Sequence, residues 1–217
     1  MGSCVVWWAA PTAAPALVAL LDEHERERLS RFRRAADAGR YLAAHALVRL
    51  ALDPRDPAAL RFDRTCRCGQ QHGKPRLVGD GPAFSLTHAG DLVGVAVHDG
   101  PVGVDVELVR PLSDLAAMAA HACSPAETAE ATAGGPESFF RLWTRKEAVL
   151  KATGDGLSTA MSDLTVGPAG VTHWPAAPGP IWLADLSPAP GHPAAVAGLG
   201  TTAPHIVQAD GNALLHR

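Results

Sequence analysis

The chain of 217 residues is 47% hydrophobic and 19% charged, with a formal net charge of −3. This composition can bury a sizeable core and excludes global disorder, and the length fits one large domain or two small ones. The small negative charge gives no whole-chain attraction to nucleic acid or to an anionic membrane.

The cysteines and the apolar N-terminal segment help to predict the cellular compartment of the protein. Four cysteines in a chain of this length do not make a disulfide framework. The apolar run at residues 5–21 lacks a basic leading region and is interrupted by Pro11 and Pro15, so a strand, a turn and a helix start explain it better than a signal peptide. We therefore expect a soluble, cytoplasmic protein without membrane or nucleic-acid partners.

The N-terminal half is predicted to combine one long helix with several strands. Apolar residues repeat at helical spacing across residues 22–52, and Pro54 lies just beyond the expected end of that helix. Residues 55–82 are rich in Pro, Gly and Arg and are typical of a loop, while residues 99–101 form the turn of a hairpin. The strands predicted up to the end of this hairpin lie at residues 5–9, 60–63, 83–86, 92–98 and 102–108.

The C-terminal half is predicted to begin with helices and end with strands. The sequence Ser124-Pro-Ala-Glu127 has a capping-box pattern with Pro at the first helical position, which predicts a helix start. The order of elements predicts an α+β fold of two halves, residues 1–101 and 102–217, that form one compact unit. The helices predicted here lie at residues 113–120, from 124, and at 137–152, and the strands at 164–166, 181–186 and 194–199.

Three acidic residues in two short stretches are the most informative feature of the chain. Asp105 and Glu107 occupy positions i and i+2 of an apolar strand, and Glu147 and Lys151 lie four residues apart on a helix, so each pair shares a face. Brought together, these two elements would form a cluster of three hard oxygen ligands beside two lysines, the composition of a magnesium site that reads a phosphorylated substrate. The same residues also fit a half-exposed strand and an exposed helical ion pair.

Several basic residues could serve the same substrate. His88 follows a short strand and fits either a structural histidine or a donor to a phosphate. Lys74 lies between a Gly and a Pro that limit the freedom of its loop, and it is otherwise an ordinary surface lysine. Arg28 and Arg40 are typical of a solvated helix face.

A short cysteine-containing loop allows two interpretations. Cys66, Cys68 and His72 lie within seven residues and could ligate zinc, but the C-x-C spacing is tight and no fourth ligand lies nearby. A reduced loop without metal is the preferred interpretation, and a structural metal stays open.

Three blocks in order, Phe84-Ser-Leu-Thr-His88, Gly103-Val-Asp-Val-Glu107 and Trp143-Thr-Arg-Lys-Glu-Ala-Val-Leu-Lys151, resemble the signature blocks of the 4′-phosphopantetheinyl transferases. Weaker similarities extend the resemblance over roughly residues 25–200. In length the chain is similar to the long, single-chain surfactin-type members, whose two similar α/β halves form a pseudo-two-fold pair. The resemblance therefore implies that fold and a monomer.

The resemblance also implies a reaction. Such enzymes transfer the 4′-phosphopantetheine arm of coenzyme A to a serine of an apo acyl or peptidyl carrier protein and release 3′,5′-ADP. The carriers belong to polyketide, nonribosomal peptide or fatty acid synthases, so a role in secondary metabolite biosynthesis is implied. The cofactor would be Mg²⁺, with Mn²⁺ as a second possibility.

By position in the matching blocks, each candidate residue receives an implied role. Asp105, Glu107 and Glu147 would hold the metal, and Glu147, directly or through a metal-bound water, would be the base for the incoming serine. Lys151 would neutralise or protonate the leaving phosphate. The residues implied to bind coenzyme A are Arg28, Arg40, Lys74, Thr87, His88, Lys146 and Lys151.

The blocks also contain departures from the family pattern. Ser85 stands where Asn or Asp is usual, and Ala89 replaces a frequent Ser, which alters hydrogen bonds around the nucleotide. The alternative function is a catalytically silent relative that binds coenzyme A or a carrier protein. The presence of Lys151 together with all three acids argues against it.

Overall fold

The computed structural model describes residues 2–66, 69–71, 73–156 and 159–216. The helices are α1 (Glu23–Ser30), α2 (Ala35–Leu52), α3 (Leu115–Ala122), α4 (Thr128–Ala133), α5 (Gly135–Thr153) and α6 (Asn212–Leu215). The strands are β1 (Ser3–Ala9), β2 (Phe62–Asp63), β3 (Arg76–Leu77), β4 (Ala83–Ala89), β5 (Leu92–His98), β6 (Val102–Val106), β7 (Thr165–Val166), β8 (Val171–His173), β9 (Ile181–Ala189), β10 (His192–Leu199) and β11 (His205–Asp210). Mixed helices and sheets confirm the predicted α+β class. Within the described residues, no helix is long and apolar enough to cross a membrane.

The chain divides into two compact units, one made of residues 1–99 with 205–217 and the other of residues 100–204. The division near residue 100 lies at the predicted hairpin turn. Residues 205–217 differ from the prediction, which placed them in the C-terminal half. They belong to the first unit because β11 pairs in parallel with β1, with Ser3 opposite His205 and Trp8 opposite Asp210.

In the first unit, helix α2 packs on a sheet with the strand order β11-β1-β5-β4. Strand β5 runs antiparallel to both β1 and β4. Buried apolar residues extend around much of α2, and Leu42 and Leu47 pack in one core with Phe84, Val93 and Val95 of the sheet. This helix-on-sheet core fixes the position of β4 and of the turn that follows it.

The single helix predicted at residues 22–52 is two helices in the structure. Helix α1 ends at Ser30, and Arg34, the residue before α2, has an extended backbone with φ −104° and ψ 128°. Phe32 lies in the break and packs on the core, with its ring 5.2 Å from that of Tyr41. The packing of this aromatic side chain accounts for the interruption of the helix.

A buried group of charged side chains joins α1 to α2. Glu25, only 1% exposed, lies 2.7 Å from Arg49 Nη2 and 2.8 Å from Arg64 Nη2, and 2.9 Å from His45 Nδ1. Asp22 accepts hydrogen bonds from both arginines and forms a capping box with Glu25 at the start of α1. Burial raises the pKa of Glu25, but the hydrogen bond and charge of His45 and the charge of Arg49 outweigh burial and lower it to about 2.

In the second unit, helix α5 packs on an antiparallel sheet with the strand order β6-β10-β9. Phe139, Phe140 and Leu142 of α5 form the core together with the small residues Ala195 and Ala197 of β10. A two-bond ion pair also fixes the helix to β9, since Arg145 Nε and Nη2 lie 2.8 Å and 2.5 Å from the Asp185 carboxylate oxygens.

The helix predicted to start at residue 124 begins later, at Thr128. Residues 125–127 form a turn in which the Ser124 amide donates to Glu127 Oε2 at 2.8 Å. The hydrogen bond from the Ser124 amide to Glu127 that the capping pattern predicts is therefore present, but the helix begins only after this turn. The other predicted helices of this unit lie within two residues of α3 and α5.

We expect Glu25 to make the stability of the protein depend on acid pH. Because its pKa is about 2 in the folded protein and 4.5 ordinarily, folding favours the ionised form. This contribution is fully present above pH 4.5 and is lost as the pH falls towards 2, a loss of about 3 kcal/mol.

Urea unfolding of the wild type and of Glu25→Gln across this pH range measures the effect. The Gln variant should lack this part of the pH dependence, whereas Glu23→Gln at an exposed position of the same helix should keep it. Parallel pH profiles for wild type and Glu25→Gln would contradict the assignment.

Candidate active site

Strand β6 and helix α5 lie in direct backbone contact at Gly103. A Cβ atom at this position would overlap the carbonyl oxygen of Ala148 and the amide nitrogen of Ala152 on α5. Only glycine permits such an approach within a strand, and the facing helix residues are themselves small. The contact brings the strand residues that follow Gly103 beside the last turns of α5.

Lys151 reaches from α5 to the strand at this point. Its ammonium nitrogen lies 2.6 Å from Asp105 Oδ1 and 3.1 Å from the carbonyl oxygen of Val104. Asp105 is 6% exposed and Lys151 is half-buried, so water screens this ion pair little. A charge-assisted hydrogen bond in such surroundings holds both side chains in place.

Glu107 follows the end of β6 and is held from two sides. Its amide donates to the Pro193 carbonyl oxygen at 3.0 Å, which extends the pairing with β10. Arg110 Nη1 lies 3.2 Å from Glu107 Oε2, and the Arg110 guanidinium carbon lies 4.6 Å from the centre of the Phe140 ring on α5. This arginine therefore links the segment that carries Glu107 to the helix that carries Glu147.

The carboxylates influence one another's ionisation. Burial raises the pKa of Glu147, and the charges of Asp105 and Glu107 raise it further against the opposing charge of Lys151. Burial and the charge of Asp105 likewise raise the pKa of Glu107, against the hydrogen bond and charge of Arg110 and the charge of Lys151. The three acids and Lys151 thus influence one another electrostatically.

The chemical types of these side chains fit a hard divalent cation, although the side chains do not converge on a single point. Three carboxylates provide the oxygen ligands that Mg²⁺ prefers, and a cation would offset the repulsion that raises the pKa of two of them. Among the described residues, no three His, Cys, Asp or Glu side chains are close enough to hold a metal as they stand. Binding would therefore need side-chain movement.

The structure places Lys146 elsewhere than the prediction did. Its ammonium is fully buried, 2.6 Å from Glu127 Oε2 and 2.8 Å and 2.5 Å from the carbonyl oxygens of Met161 and Leu164. Burial lowers the pKa of Lys146 against the opposing influence of Glu127. Because these three contacts match the three donors of an ammonium, no donor is left for a phosphate. We therefore assign Lys146 a structural role and withdraw it from the coenzyme A contacts.

Apart from Lys146 and Lys151, the residues predicted to bind coenzyme A lie in the first unit. Thr87 is buried and His88 exposed near the end of β4, and Gly90 turns the chain into β5 with a φ of 56°. Arg40 of α2 donates to the Gly90 carbonyl oxygen at 2.7 Å and also pairs with Asp37. The structure therefore brings Arg40 to the turn that follows His88.

Two further residues predicted to bind coenzyme A, Arg28 and Lys74, also lie in the first unit. Arg28 is exposed on α1, where its charge influences Tyr41. Lys74 is half-buried just before β3. Of the loop considered for zinc, Cys66 is half-buried, while Cys68 and His72 lie outside the described residues.

Two residues of the site did not emerge from the sequence. Gly103 was part of a recognised block but had no assigned role, and a glycine inside an apolar strand was the available signal for a close backbone approach. Arg110 lies three residues after Glu107, but nothing in a local pattern shows that its guanidinium stacks on an aromatic ring of a distant helix.

Comparison with known proteins gives a consistent result. The family model of the 4′-phosphopantetheinyl transferase superfamily matches residues 101–181, the segment that carries the acids and Lys151. A 4′-phosphopantetheinyl transferase of Bacillus pumilus is 36% identical over 152 residues, 65% of this chain and 61% of that protein. One of Bacillus subtilis is 30% identical over 162 residues, 69% of this chain and 67% of its own. A third, from a Nostoc species, is 35% identical over 155 residues, 65% of this chain and 63% of its own.

The chain therefore belongs to the 4′-phosphopantetheinyl transferase superfamily. Its match spans between 61% and 67% of the length of these relatives. The superfamily match falls on β6 and α5, the two elements whose contact builds the site.

We expect Gly103→Ala to disturb both stability and the site. The added methyl group must push α5 from β6, at a cost of about 1–3 kcal/mol for overpacking, and must lengthen the contact between Lys151 and Asp105. Urea unfolding measures the first effect.

Gly39→Ala is the matched control, because a Cβ at that helical position meets its neighbours at ordinary distances of 3.5 Å or more. Gly39→Ala should leave stability unchanged or slightly higher. Equal stability of Gly103→Ala and the wild type would refute the close-contact role.

Proposed function

We propose that this protein transfers the 4′-phosphopantetheine arm of coenzyme A to a serine of an apo carrier protein and releases 3′,5′-ADP. The observation that carries this proposal is the Asp105–Lys151 contact of 2.6 Å beside Glu107 and Glu147. It lies in the segment that matches the superfamily, and the relatives that resemble it are named for this transfer.

The residues of the group would divide the chemistry among them. Asp105, Glu107 and Glu147 would hold Mg²⁺, or Mn²⁺ in its place, which when bound would offset the charge that develops on the coenzyme A pyrophosphate. Glu147 would accept the proton of the carrier serine, directly or through a water. Lys151 would place its ammonium on the leaving phosphate.

The nucleotide end of coenzyme A would be recognised by residues of the first unit. Arg40 and His88 are candidates for phosphate contacts, because the hydrogen bond from Arg40 to Gly90 holds the arginine at the turn beyond His88. The remaining candidates on this unit are Arg28, Lys74 and Thr87.

Acyl and peptidyl carrier domains of polyketide, nonribosomal peptide or fatty acid synthases are the proposed partners. We further propose a cytoplasmic monomer of the surfactin-type class, acting in secondary metabolite biosynthesis. These proposals extend the resemblance of the signature blocks to the whole chain.

A silent relative that only binds coenzyme A or a carrier is the second candidate. Burial and the repulsion between carboxylates both raise the pKa values of Glu107 and Glu147, so keeping these acids ionised is unfavourable for folding. Such unfavourable arrangements are typical of functional sites. A protein that only bound a partner would not need such a group, so transfer is the better supported function.

The transfer is tested by incubating the protein with coenzyme A, Mg²⁺ and several apo carrier proteins and then measuring carrier mass. We expect a mass gain of one phosphopantetheine that disappears with a chelator or in Asp105→Ala. Glu147→Gln should lower the rate by about 10²–10⁴, the usual contribution of a general base. Glu137→Gln on the same helix should retain the wild-type rate, and a protein that modifies none of the carriers would exclude the transferase.

His88→Ala tests the nucleotide contact separately. We expect it to weaken coenzyme A binding by about 1–3 kcal/mol, the scale of a lost charge-assisted hydrogen bond, in a calorimetric titration. His205→Ala removes an exposed histidine of the same unit and should have no effect. A His88→Ala variant that binds coenzyme A as tightly as the wild type would rule out the contact.

A further inference from the structure

Lys151 supplies a positive charge to the acidic group. Its ammonium contacts Asp105 Oδ1 at 2.6 Å, and its charge acts on both Glu107 and Glu147. Each of these acids belongs to the set proposed to hold the divalent cation. One lysine therefore interacts with every member of that set.

The lysine contacts the Oδ1 atom of Asp105. The Oδ2 atom of Asp105 is shut off from solvent, and the side chain as a whole is only 9% exposed. A cation that arrives from solvent must therefore approach Oδ1, where the ammonium lies.

We propose that the Lys151 ammonium occupies the position of the metal on Asp105. The ammonium must leave Asp105 before a divalent cation can bind there. This inference rests on the proposed function, since it concerns the same site. The exchange swaps a singly charged ammonium for a doubly charged ion at one carboxylate oxygen, and no covalent bond is made or broken. Two cations on one oxygen repel each other, so the ammonium and the divalent ion compete for Oδ1.

The exchange gives Lys151 two positions with separate uses. Bound to Asp105, it compensates buried negative charge and positions the carboxylate. Once displaced, the ammonium stays attached to the last turns of α5, and the side chain, 28% exposed, can turn towards a phosphate. Metal binding would thus deliver the lysine to the substrate, so that a complete site forms only when the metal is present.

The test measures Mn²⁺ binding to the full-length protein by electron paramagnetic resonance, with and without coenzyme A. Lys151→Met removes the competing cation and should bind Mn²⁺ roughly ten- to hundredfold more tightly than the wild type, the equivalent of one hydrogen bond to a charged group. Lys151→Arg keeps the charge and should bind no more tightly than the wild type. Lys151→Gln serves as a second neutral variant if the Met variant folds poorly.

Thermal unfolding gives an independent readout. Without metal, Lys151→Met should unfold at a lower temperature than the wild type because Asp105 loses its partner, and Mg²⁺ should raise that temperature more than it does for the wild type. A structural lysine that merely supports the fold would lower stability without tightening Mn²⁺ binding.

The outcomes separate the exchange from the proposed function. Mn²⁺ affinity in Lys151→Met that is equal to or weaker than that of the wild type overturns the exchange while leaving the metal site in place. Tighter binding that disappears in the Asp105→Ala, Lys151→Met double variant supports it. No Mn²⁺ binding by any of these proteins, with or without coenzyme A, overturns the metal site of the proposed function and the exchange with it.

Discussion

The backbone contact between Gly103 and helix α5 is the constraint on which the candidate site depends. A side chain at this strand position would separate the helix from the sheet, because the Ala148 carbonyl and the Ala152 amide already fill the space. The contact sets the distance from which Lys151 reaches Asp105. The chemistry of the site therefore rests on the absence of one methyl group, and the acids alone would not create it.

Helix α5 shows how one short motif can place two lysines in different environments. Lys146 points into the unit and ends at Glu127 and two carbonyl oxygens, where it is saturated. Lys151 lies five residues further along and points to β6, partly open to solvent. The difference follows from helical geometry, since five residues rotate a side chain to another face. The presence of a lysine in the sequence therefore does not predict whether its ammonium can reach a ligand.

The sequence predicted which members of the acidic group share a face because they follow local rules: Asp105 and Glu107 alternate on a strand, and Glu147 and Lys151 share a helix face. It also predicted α5 and the β4–β5–β6 region closely. It could not predict that β11 joins β1 or that Lys146 finds Glu127, because both depend on segments far apart in the chain. The sequence did not predict the break between α1 and α2 for a similar reason, because it depends on the packing of Phe32 on the core.

The parallel pairing of β1 with β11 makes the chain order of the first unit discontinuous. All of residues 100–204 lie between the strands β5 and β11 of the same sheet, so on a ribosome the second unit is synthesised in full before the first can close. Until then, β1 keeps an unpaired edge of backbone groups, the kind of edge that promotes association between chains. Early folding of the inserted unit shortens the effective loop that β11 must close, which ties the timing of one unit to the other.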